Sequence, residues 1–420
     1  METTFNLENL TLKDFEKNNN LPLKKRANLF YDFYLFNSQK QYSNYRISSK
    51  YGSSPQTTII NPYTGKEEEM ICFVSNDYLG FTKHPKMIEA SKKAIQKYGT
   101  GAGSSPLIGG QSVLHDKLEE KISKFFNKEA AITYTSGYAS NSGTLLALLG
   151  SQDIAILDMG VHASVLEGCI MTNKKYFLHN DVVSLERILS QTKDLYRNTF
   201  IIIDGIYSQD GDIAPLKEII TLAKVYNAYI VLDDAHGVGV VGRTGKGVCE
   251  LYNIFDEIDI ITGTFSKTFA SVGGFVVANQ KIIMYLKFMA SSNIFSAAAT
   301  PQSVASVIKA IELLEEEPQW VQKIQSNINH FKKGLKSLNI DFGKSESAIF
   351  PIMIRNENRT KEMGKLLLKN GIYANPIMYP AVSRKQTRIR MSVLATHSTE
   401  MLDKTLNILN DVLQKTKDIN

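Results

Sequence analysis

The chain has 420 residues, 43% hydrophobic and 21% charged, an ordinary globular composition that allows a large core and more than one domain. Its net charge of +6 comes from scattered lysines and arginines, so it gives no argument for nucleic acid, although it would help attract an anionic substrate such as a coenzyme A thioester or an acyl carrier protein. Cys72, Cys169 and Cys249 are odd in number and lack CxxC spacing, the polar N-terminus lacks a signal peptide's apolar stretch, and no apolar run is long enough to span a bilayer; a soluble, cytoplasmic protein without a structural metal, disulfide framework or transmembrane segment is expected.

Residues 1–60 read as an N-terminal arm. Within it, Leu23–Gln39 carries Phe30, Tyr31, Phe33, Tyr34 and Phe36 at spacings that a helix buries on one side. Asn61–Glu69 is a turn between two short strands. Cys72–Val74 is apolar and leads into SNDYLGF, Ser75–Phe81. His84–Tyr98 and Leu114–Phe126 have helical spacing, the second with Leu118, Ile122 and Phe125 on one face. Between them Gly99–Gly110 is a glycine- and serine-rich loop without the GKS ending of a nucleotide P-loop, which argues against ATP.

From Ala130 the pattern alternates. Strands are predicted at Ala130–Tyr134, Ile154–Leu157, Thr199–Ile203, Tyr229–Leu232, Ile258–Ile261 and Phe275–Ala278, with helices at Ser140–Leu149 and Leu216–Tyr226. Short, nearly all-apolar strands separated by helices indicate a mostly parallel sheet covered on both faces. After Pro301 the texture changes to long amphipathic helices, Gln302–Glu316 and Trp320–Leu338. Strands at Ile349–Ile354 and Arg388–Val393 and helices at Lys361–Asn370 and Thr399–Gln414 follow. The expected division is an arm at 1–60, a large α/β domain at 61–300 and a smaller α+β domain at 301–420.

Polar residues recur just after the predicted strands. In an open parallel sheet those ends share one edge, so Asp158, Asp204, Asp233 and Lys267 are expected on the same side. Lys267 lies among small, hydroxylic and apolar residues (IITGTFSKTFASVGGFVV), where partial desolvation favours a neutral, nucleophilic amine. Thr264, Ser266, Thr268 and Ser271 supply hydroxyls suited to a phosphate. Upstream, Asp233 and His236 offer a carboxylate for a protonated pyridine nitrogen and an imidazole for a phenolic oxygen. TSGYASN places the Ser136–Tyr138 backbone at a strand-to-helix turn, a phosphate site, and His162 offers a flat ring that can stack on a cofactor.

These motifs, together with YSQDGDIAPL and RIRMSVLATH, stand in the order found in α-oxoamine synthases, and the chain closely resembles that family over about residues 60–415. The resemblance implies a fold-type I, pyridoxal-phosphate-dependent acyltransferase that condenses an amino acid with an acyl thioester, from coenzyme A or acyl carrier protein. It makes Lys267 the Schiff-base and acid–base lysine, Asp233 the partner of the pyridine nitrogen and His236 that of the phenolic oxygen. His162 would stack on the ring and orient the substrate. Ser136, Gly137, Tyr138, Thr264 and Ser266 would hold the phosphate, with Ser208 also at the cofactor and Ser296 reaching it from a partner subunit of a homodimer. Asn76 would lie near the substrate and Arg390 would bind its carboxylate.

Two departures stand out. Family members often carry Arg in the glycine loop where this chain has Ser105-Pro106-Leu107, and the usual Asp-Glu-Ala-His is Asp233-Asp234-Ala235-His236. The segment Asn375–His397 is most like the serine palmitoyltransferase branch, which points to sphingoid or sulfonolipid bases made from serine or cysteate. Arg384, Lys385 and Arg388 are candidate sulfonate contacts or an exposed basic turn. The alternative is 8-amino-7-oxononanoate synthase of the biotin route, using alanine and a pimeloyl thioester. An aminotransferase is the more distant reading.

Overall fold

The computed structural model describes residues 6–16 and 20–419. Residues 1–5 and 17–19 of the expected arm and the last residue of the polar tail lie outside the described residues. The chain divides into two compact units, one of residues 1–75, 327–345 and 349–420, the other of residues 76–326 and 346–348.

The first unit begins with helix α1 (Leu23–Gln39) and strands β1 (Gln56–Ile60) and β2 (Glu67–Cys72). The helix forms as expected, but it buries none of its residues: Phe30, Tyr31 and Tyr34 are exposed, and the ring of Phe15 meets Phe30 at 5.2 Å. The strands β1 and β2 pair antiparallel around the predicted turn.

The second unit carries the large sheet. Its helices are α2 (Pro85–Tyr98), α3 (Val113–Phe125), α4 (Gly137–Leu148), α5 (Ala163–Gly168), α6 (Val182–Thr192), α7 (Leu216–Val225), α8 (Val248–Tyr252), α9 (Gln280–Met289), α10 (Ser291–Ile294) and α11 (Pro301–Glu316). Its strands are β3 (Ala130–Tyr134), β4 (Ile154–Asp158), β5 (Asn173–Phe177), β6 (Thr199–Asp204), β7 (Tyr229–Asp233), β8 (Ile260–Thr264) and β9 (Gly274–Ala278). They run in the order β3-β9-β8-β7-β6-β4-β5. All neighbours are parallel except β9, which is antiparallel to β3 and β8. β3, β4, β8 and β9 are buried at every residue, as strands covered on both faces must be. Ile132, Leu157, Ile202, Val231 and Val276 form one core with Leu145 of α4 and Leu286 of α9. This is the mostly parallel, doubly covered sheet that the alternating pattern predicted.

The helix α12 (Gln319–Ser337) crosses the division between the units, and the chain then supplies β10 (Ile349–Met353), α13 (Glu357–Lys369), β11 (Ile372–Tyr373), β12 (Asn375–Ile377), β13 (Arg388–Ser392) and α14 (Thr399–Lys415). β13 lies between β10 and β12, both antiparallel to it, while β11 extends β2 in parallel. Ile59, Met70, Cys72, Leu368 and Tyr373 form the core of that second sheet.

The units differ from the expected boundaries at 60 and 300. α11 packs on α2 and α3 and stays with the large sheet, whereas β2 pairs with β1 on one side and with β11 from the C-terminal part of the chain on the other. Arg388 also departs from an exposed basic turn: it is 1% exposed, and its Nε donates to the Gln386 carbonyl at 2.8 Å. Arg384 is exposed and ion-paired with Glu357 at 2.7 Å. The three cysteines are buried and unbridged, and among the described residues no helix is long and apolar enough to cross a membrane.

Candidate active site

Strands β8, β7, β6 and β4 are parallel neighbours, so their C-terminal ends lie together at the edge where open α/β sheets bind ligands. Asp204 is in register with Asp233, and Asp233 with Thr262. The Asp233 carboxylate is 8% exposed. Its Oδ2 accepts from Asn141 Nδ2 at 2.6 Å and its Oδ1 from the Ala235 N–H at 2.9 Å. Each oxygen keeps a lone pair for one more donor. Burial, reinforced by the charge of Asp233, pushes the Asp204 carboxyl well above the usual carboxylate range.

His162 caps α5. Its Nδ1 accepts from the Ser164 N–H at 3.3 Å and lies 2.7 Å from Ser164 Oγ, so the neutral ring carries its proton on Nε2. Partial burial lowers its pKa; Asp233 opposes that shift and Lys267 adds to it. The side chain keeps an exposed surface on which a planar group can stack. His236 is buried, with Nδ1 2.6 Å from the Tyr78 hydroxyl, and that hydroxyl lies 3.4 Å from Asn76 Oδ1.

Half-buried Lys267 sits in the turn between β8 and β9. The turn is closed by Phe265 N–H to Gly273 O at 2.9 Å and pinned by Thr268 Oγ1 to Val238 O at 2.6 Å, with Phe265 and Phe269 buried beneath it. The lysine's charge acts on both His162 and Asp204.

An anion cradle adjoins this group. Ser136 caps α4, its Oγ accepting from the Ala139 N–H at 3.0 Å. A Cβ on Gly137 would lie 2.6 Å from Thr264 Cβ, and one on Gly274 would lie 2.6 Å from the Ser136 carbonyl oxygen. Only glycine lets the start of α4 approach β8 and β9 this closely. Thr264 Oγ1 and Ser266 Oγ are 2.8 Å apart beside it, and the helix N-terminus adds free N–H groups and a positive dipole end. Tyr138 donates to Glu167 at 2.6 Å, and its ring centroid is 6.1 Å from that of His162.

These residues fit pyridoxal phosphate in kind: an anion site, a buried carboxylate for a cationic ring nitrogen, an amine and an imidazole face. Ser208 follows β6 in the same unit. Ser296, just after α10, has its N–H 3.4 Å from the Asn293 carbonyl, and among the described residues no contact joins it to this group. Arg390 lies on β13 in the first unit, with Nη1 3.0 Å from Ser392 Oγ.

Sequence reading singled out neither Asn141, Ser164, Thr262 nor Tyr78. Asn141 is the last residue of TSGYASN, four positions after Gly137, and that spacing is the only signal it offers. Asp158 ends β4 at the expected edge, where its carboxylate is committed to a histidine. It bonds His179 Nδ1 at 2.8 Å, while Asp212 takes His179 Nε2 at 3.0 Å. Burial opposes a charge on His179, but the two carboxylates outweigh it and push the imidazole up to about 10. This charged cluster ties together the loops after β4, β5 and β6. Among the described residues no group of His, Cys, Asp and Glu is arranged to hold a metal ion.

Comparison with known proteins bears on the same residues. The family model for aminotransferase class I and II matches residues 68–409. The chain is 39% identical to 8-amino-7-oxononanoate synthase of Thermoanaerobacter pseudethanolicus over 347 residues, which is 82% of this chain and 88% of that protein. It is also 39% identical to serine palmitoyltransferase of Sphingobacterium spiritivorum over 343 residues, 80% and 85% of the two chains. Among solved structures, Sphingomonas wittichii serine palmitoyltransferase superposes with a TM-score of 0.88 at 28% identity, covering 95% of this chain and 99% of the other. A serine palmitoyltransferase carrying its pyridoxal phosphate internal aldimine superposes at 0.87 with 29% identity, covering 95% and 100%.

Proposed function

We propose a mechanism from one premise: the chain belongs to the aminotransferase class I and II family and, within it, to the α-oxoamine synthases, pyridoxal-phosphate-dependent acyltransferases that condense an amino acid with an acyl thioester. The observation that carries the assignment to these residues is the meeting of buried Asp233, Lys267 and the Gly137–Thr264 cradle at neighbouring strand ends.

The bound cofactor supplies an electron-poor ring that accepts the electrons of a carbanion. Asp233 would hold the proton on the ring nitrogen, its carboxylate kept in place by Asn141 and the Ala235 N–H. Lys267 Nζ would hold the cofactor covalently, and its amine would take the proton from the amino acid's Cα. His162 would stack on the ring and orient the substrate. His236, held by Tyr78, bonds the phenolic oxygen. Ser136, Gly137, Tyr138, Thr264 and Ser266 would hold the phosphate, with Ser208 also at the cofactor and Ser296 of the partner subunit reaching it in a homodimer. Asn76 would lie near the substrate, and Arg390 would bind the amino acid's carboxylate. Carbon–carbon bond formation expels the thiol of the thioester, and loss of carbon dioxide then gives an amino ketone.

Two observations divide the choice of substrate. Most of the named relatives are 8-amino-7-oxononanoate synthases, which supports alanine and a pimeloyl thioester. Solved structures that span nearly the whole chain are serine palmitoyltransferases, which supports serine and a long acyl thioester. The first carries at least as much weight, so the biotin-type reaction stands level with or ahead of the lipid branch that the Asn375–His397 segment favoured. The visible spectrum of the purified protein, titrated with alanine, serine, glycine and cysteate, separates these readings. A response to one amino acid identifies the substrate, and a protein that stays colourless with added pyridoxal phosphate rejects the cofactor site.

A further inference from the structure

We infer that Asn141 is a positioning residue that couples the two halves of the site: one amide group sets the Asp233 carboxylate and, through Ser164 Oγ, the tautomer of the His162 ring. The inference rests on the cofactor roles of Asp233 and His162 given above.

Asn141 lies one turn into α4 and is 3% exposed. Its amide is used on both sides. Oδ1 accepts from Thr262 Oγ1 at 2.5 Å, while Nδ2 donates to Asp233 Oδ2 at 2.6 Å and to Ser164 Oγ at 3.0 Å. Facing an ionised carboxylate, which only accepts, the amide must present its NH2 group, and this fixes the direction of every bond that follows. Ser164 Oγ accepts from the amide and has one hydrogen left to give. It lies 2.7 Å from His162 Nδ1. The Ser164 N–H points at the same nitrogen at 3.3 Å, so Nδ1 receives both hydrogens and the ring's own proton resides on Nε2. Thr262 closes the arrangement from β8, one strand position opposite Asp233.

Asn141, Ser164 and Thr262 are buried to 3%, 0% and 1% exposure. Water does not replace a lost partner readily at such sites, so each deletion leaves a buried polar group unmet. The network also separates two consequences. Deleting the amide disturbs both Asp233 and His162, whereas deleting the Ser164 hydroxyl disturbs His162 alone. A merely structural tie between α4 and β8 would have no reason to alter an imidazole tautomer.

The test uses two readouts on the full chain. The first is the tautomer of His162 in the cofactor-free protein, read by nitrogen NMR with labelled histidine and assigned with His162→Gln. The second is the Kd for pyridoxal phosphate, read by absorbance. Asn141→Ala is expected to weaken that Kd about tenfold and to populate the Nδ1–H form of His162. Ser164→Ala removes the shorter of the two bonds to Nδ1 and keeps the backbone N–H at 3.3 Å, so it should raise the Nδ1–H fraction and leave the Kd unchanged. Thr262→Val, a smaller change that frees the amide's orientation, should move both readouts in the direction of Asn141→Ala and carries the test if that variant does not fold. A His162 that stays wholly in the Nε2–H form in Ser164→Ala or Thr262→Val overturns the inference, as does a Kd that shifts equally in Ser164→Ala and Asn141→Ala. Failure of the wild-type protein to take up pyridoxal phosphate would reject the cofactor reading instead, and the tautomer would still decide the link from Asn141 to His162.

Discussion

Replacing Gly274 with alanine tests the anion cradle at its narrowest point. The new Cβ would lie 2.6 Å from the Ser136 carbonyl oxygen and 2.7 and 2.8 Å from the Cα and N of Gly137. All three are backbone atoms, so no side chain can swing away. Ordinary contact needs about 3.4 Å, so the start of α4 must retreat from β9 by about 0.8 Å. Overpacking of this kind costs about 1–3 kcal/mol of stability. The same retreat moves the N–H groups that would hold the phosphate. Hydrogen bonds to charged groups contribute about 1.5–3 kcal/mol each, so misaligning one weakens the Kd for pyridoxal phosphate by about 10- to 100-fold. The assay is absorbance titration of the cofactor-free protein, with thermal melting of the same sample to separate folding from binding. Gly101→Ala is the control, because a Cβ there meets nothing within 4 Å. A Gly274→Ala protein that folds and binds the cofactor with wild-type affinity would refute the placement of the phosphate at the start of α4.

Lys267→Ala should abolish turnover while leaving the melting temperature near that of the wild-type cofactor-free protein; retained turnover would reject the role given to this amine. Asp233→Asn removes the charge that holds the ring nitrogen's proton and should lower turnover by at least about a hundredfold, measured with saturating cofactor. His179→Gln should destabilise the protein in a pH-dependent way. The folded-state pKa of His179 is raised from 6.5 to about 10, so its contribution is complete below about pH 6.5 and lost as pH rises through about 10. The gap in melting temperature between wild type and variant should close over that range, and a gap independent of pH would contradict the charged cluster with Asp158 and Asp212.

The sequence disclosed the parts of this fold that bury apolar runs. β3, β4, β6, β7 and β9 are short, apolar and bounded by turn residues, and each was found within a residue or two of its predicted limits. The strand β5 escaped because it is an edge strand reading NKKYF, with only Phe177 buried. A helix at Leu23–Gln39 was legible, but not the exposure of its aromatics, because periodicity reports a face and not what covers it. The division into units was hidden for a similar reason: the pairing of β2 with β11 joins residues about three hundred positions apart. In the site, charged residues at strand ends were visible one by one. Asn141, Ser164 and Thr262 were not, since a small polar residue in a helix or strand looks the same whether it faces solvent or a buried carboxylate. Asp158 lies at the strand-end edge as its position suggested, but its partner His179 follows the strand that the pattern did not reveal.

Release of carbon dioxide from a carboxyl-labelled amino acid, measured with and without an acyl thioester, tests the central claim most directly. The account predicts release from alanine or serine only when the thioester is present, and none from the Lys267→Ala protein under any condition. Transfer of the amino group to a 2-oxo acid with no thioester-dependent carbon dioxide would contradict it and make the protein an aminotransferase.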